Sequence, residues 1–231
     1  MQESAPTIPT RRPGRPRSMT LDAVIDAACE LGPDRVEMTS VAERLGVGVA
    51  TLYRYVRDRD HLMRLVAARR TRHEGIQDRG QSWQDALREH AALVFEMYRS
   101  WPQLIGHVTA GAVDEEAETI NVERVIAILI DRAFAPSDAL NLYYEIHTVV
   151  VGAAVGWAFT QAIEARLGGY EAMMRHAEAA RGSEALPMLR LALKAGGPPT
   201  AIGDYRTTLE RIIAAHETVR GPEPAAPGHR P

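Results

Sequence analysis

Along the chain, apolar positions recur three and four residues apart, and strict alternation of apolar and polar residues is brief wherever it occurs. That period belongs to the α-helix, so an all-α fold is expected. Thr20 is placed to cap a first helix whose stripe is Leu21, Val24, Ile25 and Ala28, and Gly32 with Pro33 ends it. A second short helix is expected over Met38 to Leu45, a tight turn at Gly46, and a third helix from Val49 to Val56. Asp58 can cap a fourth, longer helix through Leu62, Leu65, Val66 and Ala68, and the polar run TRHEGIQDRGQ that follows reads as a bend or linker.

Ser82 with Asp85 at the capping-box position opens the next helix, through Leu87, Val94 and Met97, until SWPQL breaks it and Pro102 restarts it. Further helices are expected over residues 102–110, 117–134, 137–167, 170–181, 184–195 and 202–219. The loop GGPPTAIG and the tail GPEPAAPGHRP have little to bury, so the tail is expected to be disordered. The expected organisation is an arm over residues 1–17, a first domain over 18–72 that includes the start of a connecting helix, a second domain over 80–220, and a tail over 221–231.

Three short helices with a glycine turn between the second and third form a candidate helix-turn-helix. Advancing about 100° per residue puts Val49, Leu52 and Val56 on one side of the third helix and turns Arg54 directly away from them. Tyr53 and Tyr55 fall on the two shoulders, and Ala50 and Thr51 flank the outward face. A major groove about 12 Å wide admits one helix, so the outward centre meets base edges and the shoulders meet the phosphate walls. Arg54 can offer a two-pronged donor to guanine, Thr51 can touch a thymine methyl, and tyrosine hydroxyls can donate to phosphate oxygens. The same spacing also suits a surface helix whose tyrosines only cover core.

The stretch VAERLGVGVATLYRYVRDRDHL resembles the DNA-binding signature of the tetracycline-repressor (TetR) family of bacterial regulators. The similarity covers about residues 18 to 66 and rests on Ala42, the Leu45-Gly46-Val47 turn, Thr51-Leu52-Tyr53, and Tyr55 before an apolar residue. Taken position by position, it implies that Thr39, Val49, Ala50, Thr51 and Arg54 face bases and that Tyr53, Tyr55 and Arg59 face phosphates. Arg59 stands where the family has a lysine. Two positions depart from the family pattern: Glu37 replaces a Ser or Thr cap on the second helix, and Gly48 removes a possible contact. A carboxylate at Glu37 can still serve the helix amino end through its dipole.

Charge sharpens this picture. The net charge is -3, yet the 70 residues up to Arg70 hold 12 arginines against 9 acids, and the remainder carries the acidic excess. Arg11, Arg12, Arg15 and Arg17 lie in RRPGRPR, which resembles an AT-hook core. Such an arm can lie in a narrow minor groove, where arginines meet enhanced negative potential; a solubilising tail is the plain alternative. The single Cys29 excludes an internal disulfide and a multi-cysteine zinc site, and fits a reducing cytosol. No signal peptide is recognisable at the amino terminus, and the run HTVVVGAAVGWAF is too short to span a bilayer, so a cytoplasmic protein without a membrane partner is expected.

Residues beyond 80 resemble the family's ligand-binding and dimerisation domain weakly, through YRSWPQLIGHV, the long segment from Asp131, and the last helix. Gly152, Ala153, Ala154 and Gly156 are small enough to let another helix approach, and with Leu209, Ile212 and Ile213 they suggest a homodimer seam or an internal one. Trp101, Leu104, His107, Val108, Tyr144 and His147 combine apolar walls with polar handles, the mixture of a small-molecule site. No phosphate loop, His-Glu-x-x-His or Gly-x-Ser-x-Gly is present, and no metal or cofactor is expected. The expected function is a homodimeric, ligand-released repressor of a palindromic double-stranded operator, with no enzymatic activity. A helix-turn-helix activator or architectural protein without an effector is the alternative.

Overall fold

The computed structural model describes residues 19–32, 35–111, 114–182, 186–196 and 202–220, which form eleven α-helices and no strand. The four arm arginines and the tail lie outside these residues. The chain divides into two compact units between Leu62 and Met63. That division falls inside a helix, ten residues before the expected boundary.

The first unit holds α1 (Leu21–Leu31), α2 (Met38–Leu45) and α3 (Val49–Leu52). Thr20 caps α1, its Oγ1 accepting the Ala23 N–H at 3.2 Å. Val24, Ile25 and Ala28 are buried as the stripe requires, while Leu21 is exposed. α1 packs on α2 and α2 on α3, with Val41, Ala42 and Leu52 buried as well; full burial of a Leu or Val stabilises by about 1.5–3 kcal/mol. Gly46 ends α2 in the left-handed region (φ 67, ψ 33), and the Val47 N–H reaches back to Ala42 O at 3.0 Å. That closed pattern satisfies carbonyls a helix end would otherwise leave bare, and only glycine adopts it without strain.

The third helix is shorter than its pattern predicts. Beyond Leu52 the chain continues as turns, with the Tyr55 N–H bonded to Leu52 O at 2.8 Å and the Val56 N–H to the same oxygen at 3.0 Å. The helical path is therefore tightened rather than abandoned, and Val56 still buries beside Leu52. The fourth helix, α4 (Arg59–Glu74), starts in the first unit and runs on into the second. Asp58 caps it: its Oδ1 accepts the His61 N–H at 2.6 Å, and His61 Nδ1 accepts the Arg57 N–H at 3.1 Å.

The second unit continues with α5 (Trp83–Ser100), α6 (Gln103–Thr109), α7 (Glu115–Asp131), α8 (Pro136–Leu167), α9 (Tyr170–Arg181), α10 (Pro187–Gly196) and α11 (Arg206–Arg220). Ser82 Oγ accepts the Asp85 N–H at 3.1 Å and so caps α5 as expected, while the Asp85 carboxylate takes the Ser82 hydroxyl at 2.9 Å and not the backbone N–H of a full capping box. Asp114 starts α7 two residues early by accepting the Ala117 N–H at 2.8 Å, and Ala133 at φ 62 stops it before Phe134. A turn at Ile202 and Gly203 (φ 85) delays α11 to Arg206.

α5 and α8 are the central pair, with α7 against both and α9 and α11 against α8. Leu209, Ile212 and Ile213 of α11 are buried within this chain, as is Ala154. Gly156 lies so close to the Ile202–Gly203 turn that an added Cβ would stand 3.2 Å from Gly203 N. Ala154, Gly156 and the α11 stripe therefore contribute to an internal seam, one of the two readings the sequence leaves open, while Gly152 stays exposed on α8. The apolar run of α8 also sits in a helix of 32 residues, long and apolar enough by length and composition to cross a membrane.

Candidate nucleic-acid interface and ligand cavity

In the first unit, Thr39, Ala50, Tyr53 and Arg54 are exposed, and Val49, Thr51, Tyr55 and Arg59 are half-buried. Arg54 faces solvent while its neighbours Leu52 and Val56 are 0% and 1% exposed, which is the orientation the spacing requires. Tyr53 is 54% exposed on one shoulder.

Tyr55 differs. Its hydroxyl donates to Met19 O at 2.7 Å, tying the chain before α1 to the end of the α3 turn. A phenol has one proton to donate, so in this arrangement Tyr55 braces the unit and cannot also donate to phosphate. Arg59 is likewise engaged: its Nε donates to Val36 O at 2.8 Å and lies 3.2 Å from the Glu37 carboxylate. Glu37 makes no side-chain bond to the α2 amino end. Its carboxylate instead holds Arg59 beside α2, and the guanidinium keeps further N–H donors beyond Nε.

Two adjoining cavities lie in the second unit. The larger is about 650 Å³ with its open mouth included, has apolar walls from Ile76, Leu93 and Val94, and carries His90, Asn121 and His147. The smaller, about 450 Å³, is lined by Ala67, Leu104, His107 and Val108. Thr71, Met97, Tyr98 and Glu118 line both. Of the residues expected from sequence, Leu104, His107, Val108 and His147 line these cavities. Trp101 and Tyr144 line neither: Trp101 is 1% exposed beneath the Arg70 guanidinium, 5.9 Å from its ring centre, and Tyr144 is 53% exposed.

The polar side of the larger cavity is an ordered cluster. Tyr143 donates its hydroxyl to Glu118 Oε1 at 3.2 Å and accepts from Asn121 Nδ2 at 3.2 Å. The His90 and His147 rings both pack on it, their centres 5.4 and 5.5 Å from that of Tyr143. Burial pushes the His90 pKa down to about 3, aided by His147, and burial lowers that of His147 too. Both imidazoles are therefore neutral near pH 7. His90 Nε2 and His147 Nδ1 are buried with no hydrogen-bond partner, a condition that costs about 1–3 kcal/mol per group.

His90 and Asn121 were not singled out by the sequence reading, although a signal was present. His90 continues the buried stripe of Trp83, Leu87, Ala91 and Val94, and Asn121 stands between Ala117 and Val125 on another. A polar residue on an apolar stripe must be satisfied inside the protein or by a ligand.

The end of α4 forms a wall of both cavities through Thr71, and it is anchored to α7. Arg124 donates to Thr71 O at 3.2 Å and to Arg72 O at 2.8 Å, placing a cation on the α4 carboxyl end. Arg72 in turn donates to Asp114 at 3.1 Å and Glu116 at 3.0 Å.

No family model matches the chain. It is 29% identical over 197 residues to the HTH-type transcriptional repressor DrrR1 of Streptomyces coeruleorubidus, a match covering 82% of this chain and 70% of that protein. Its fold is similar to that of the TetR family protein ActR of Streptomyces coelicolor, solved in complex with actinorhodin: TM-score 0.59 and 21% identity, over 88% of this chain and 98% of that one. A variant of TetR from Acinetobacter baumannii AYE, solved with minocycline, matches at TM-score 0.52 and 19% identity, over 89% of this chain and the whole of that one. With a helix-turn-helix signature carried by α2, the Gly46 turn and α3, the chain is similar in sequence to an HTH-type transcriptional repressor and has the fold of the tetracycline-repressor (TetR) family proteins.

Proposed function

We propose that this regulator binds a palindromic operator as a homodimer and releases it when a small, uncharged or amphipathic molecule enters the cavity at the end of α4. The carrying observation is that one helix, α4, begins at Arg59 beside α2 and ends as a cavity wall at Thr71. A ligand that displaces this wall biases the whole helix, and operator binding tolerates little displacement of a recognition helix. The cavity favours a ligand-responsive regulator over an architectural protein without an effector. That ActR and TetR were solved with actinorhodin and minocycline supports the same choice.

On the DNA side, Arg54 reads a base, Thr39, Val49, Ala50 and Thr51 lie on or beside the same face, and Tyr53 and Arg59 meet phosphate. Arg11, Arg12, Arg15 and Arg17 add a minor-groove arm. Dimerisation uses the outer face of α8, where Leu140, Tyr144, Val155 and Phe159 are all exposed. At 100° per residue they fall within an arc of about 100°, a one-sided apolar stripe. Asn141, Glu145 and Gln161 of the same helix are also exposed, which suits a second protein copy better than lipid. Two copies set the recognition helices one DNA turn apart, about 34–36 Å.

Selection of bound fragments from genomic DNA tests this directly: an inverted repeat is expected, and an asymmetric single site refutes the dimer. On that site Arg54→Ala is expected to cost about 1–3 kcal/mol and to relax one base pair per half-site. Linkage requires DNA to weaken ligand binding by the factor by which ligand weakens DNA binding. Equal ligand affinity for free and operator-bound protein refutes release.

A further inference from the structure

The larger cavity contains a polar cluster that is complete but for two atoms. Tyr143, Glu118 and Asn121 satisfy one another through the Tyr143 hydroxyl. His90, 2% exposed, and His147 both pack on the Tyr143 ring, line the cavity, and each retain one buried ring nitrogen without a partner. Ile76, Leu93 and Val94 give the same cavity its apolar wall, and Arg70 and Glu96 bring one charge of each sign to its lining.

We propose that this cavity selects an uncharged molecule with an apolar body and a free hydroxyl group, alcoholic or phenolic, and that His90 and His147 recognise the hydroxyl. This rests on the ligand-binding role proposed above and names the chemistry it uses. A neutral imidazole has one N–H and one bare nitrogen, so each unpartnered nitrogen is either a donor or an acceptor. A hydroxyl donates once and accepts twice, and so satisfies a donor and an acceptor together. A carbonyl meets only the donor, and an ether likewise lacks a proton to give. A carboxylate would share the cavity with two acids, Glu96 and Glu118, against one cation, Arg70, so the balance of charge in the lining opposes it. An ammonium must shed its water to enter, and the two lining acids are already engaged, Glu118 by the Tyr143 hydroxyl and Glu96 by the Arg99 guanidinium.

The test is calorimetric titration of the full chain, without DNA, with four probes of one shape: naphthol, its methyl ether, naphthoate and naphthylmethylammonium. Naphthol is expected to bind about tenfold more tightly than the ether, the scale of one well-made hydrogen bond. The two charged probes are expected to bind more weakly than naphthol. His90→Leu and His147→Leu should each bring naphthol down towards the ether while leaving ether affinity in place, which also reports that the variant is folded. His90→Gln, which keeps a donor and an acceptor, should retain part of the preference. The proposal is overturned if the ether matches naphthol in the unaltered protein, if either charged probe binds more tightly, or if none binds. Because no DNA is present, the two levels separate. A naphthol preference without operator release removes only the release mechanism, whereas operator release by compounds indifferent to His90→Leu removes only the hydroxyl selectivity.

Discussion

Changing His90 to Leu removes a buried, unpartnered imidazole at little change in volume, and its consequence is a predictable loss of pH sensitivity. The folded-state pKa of His90 is held at about 3, against 6.5 ordinarily, first by burial and then by His147. Between those values the unfolded chain binds a proton that the folded protein refuses, so stability rises with pH across the window and is lost as pH falls below 6.5. A full pH unit is worth about 1.4 kcal/mol, and the unfolded imidazole is already half protonated at pH 6.5, so acidification from there to pH 4.5 costs the native protein about 2 kcal/mol through this residue. The Leu variant lacks that contribution, whereas carboxylates elsewhere titrate alike in both proteins and cancel in the difference. Urea unfolding followed by far-ultraviolet circular dichroism, repeated across this range, measures it. The Leu variant, freed of an unpartnered buried nitrogen, should be the more stable near pH 7, and its advantage should widen on acidification because it falls less steeply. Parallel curves, agreeing in slope to within about 0.5 kcal/mol over the two units, would refute a neutral, desolvated His90.

Three further outcomes follow from particular contacts. Tyr55→Phe should lower the stability of the first unit by about 0.5–1.5 kcal/mol, because it removes the bond to Met19 O; an unchanged melting curve with weakened DNA binding would return Tyr55 to the phosphate wall. Phe159→Glu puts a charge on the exposed apolar stripe of α8 and should shift the protein to monomer in sedimentation, with loss of cooperative operator binding. Deletion of residues 1–17 should lower DNA affinity and flatten its salt dependence by up to about 0.9 in log–log slope per lost phosphate contact; an unchanged slope would make the arm a solubilising tail.

What was legible in the sequence is what local chemistry determines. Thr20, Asp58 and Ser82 cap the helices they were expected to cap, because capping needs only a side chain within three residues of a free N–H. Gly46 is legible for the same reason, since the left-handed conformation excludes most other residues. The bond from Tyr55 to Met19 O spans 36 residues and the Arg59 bond to Val36 O spans 23, and no local pattern announces either. Those two contacts redirect side chains that look, by position, free to meet DNA. The seam between α8 and α11 was ambiguous because small residues and an apolar stripe suit an internal partner and a second chain equally well. Burial of Leu209 and Ile213 inside this chain puts them on an internal seam, while Gly152 stays exposed. The exposed α8 stripe was overlooked because Leu140, Tyr144, Val155 and Phe159 alternate with buried residues in a helix that is apolar on both sides.

The magnitudes available in the cavity match what a switch requires. A hundredfold fall in operator affinity needs about 2.7 kcal/mol of coupling. Satisfying one buried, unpartnered group is worth about 1–3 kcal/mol, and the cluster offers two such atoms, so the polar end of a ligand is of the right scale by itself. Affinity alone shifts nothing, however; the gain must differ between the DNA-binding arrangement and the released one. Thr71 makes that difference possible, because its carbonyl is held by Arg124 of α7 while the residue itself lines both cavities. On the release mechanism proposed above, a ligand spanning His90 and the α4 wall is expected to compete with the bonds that fix the end of α4. An apolar molecule of equal size that leaves Arg124 and Arg72 in place gains burial in both arrangements alike, and so binds without releasing DNA.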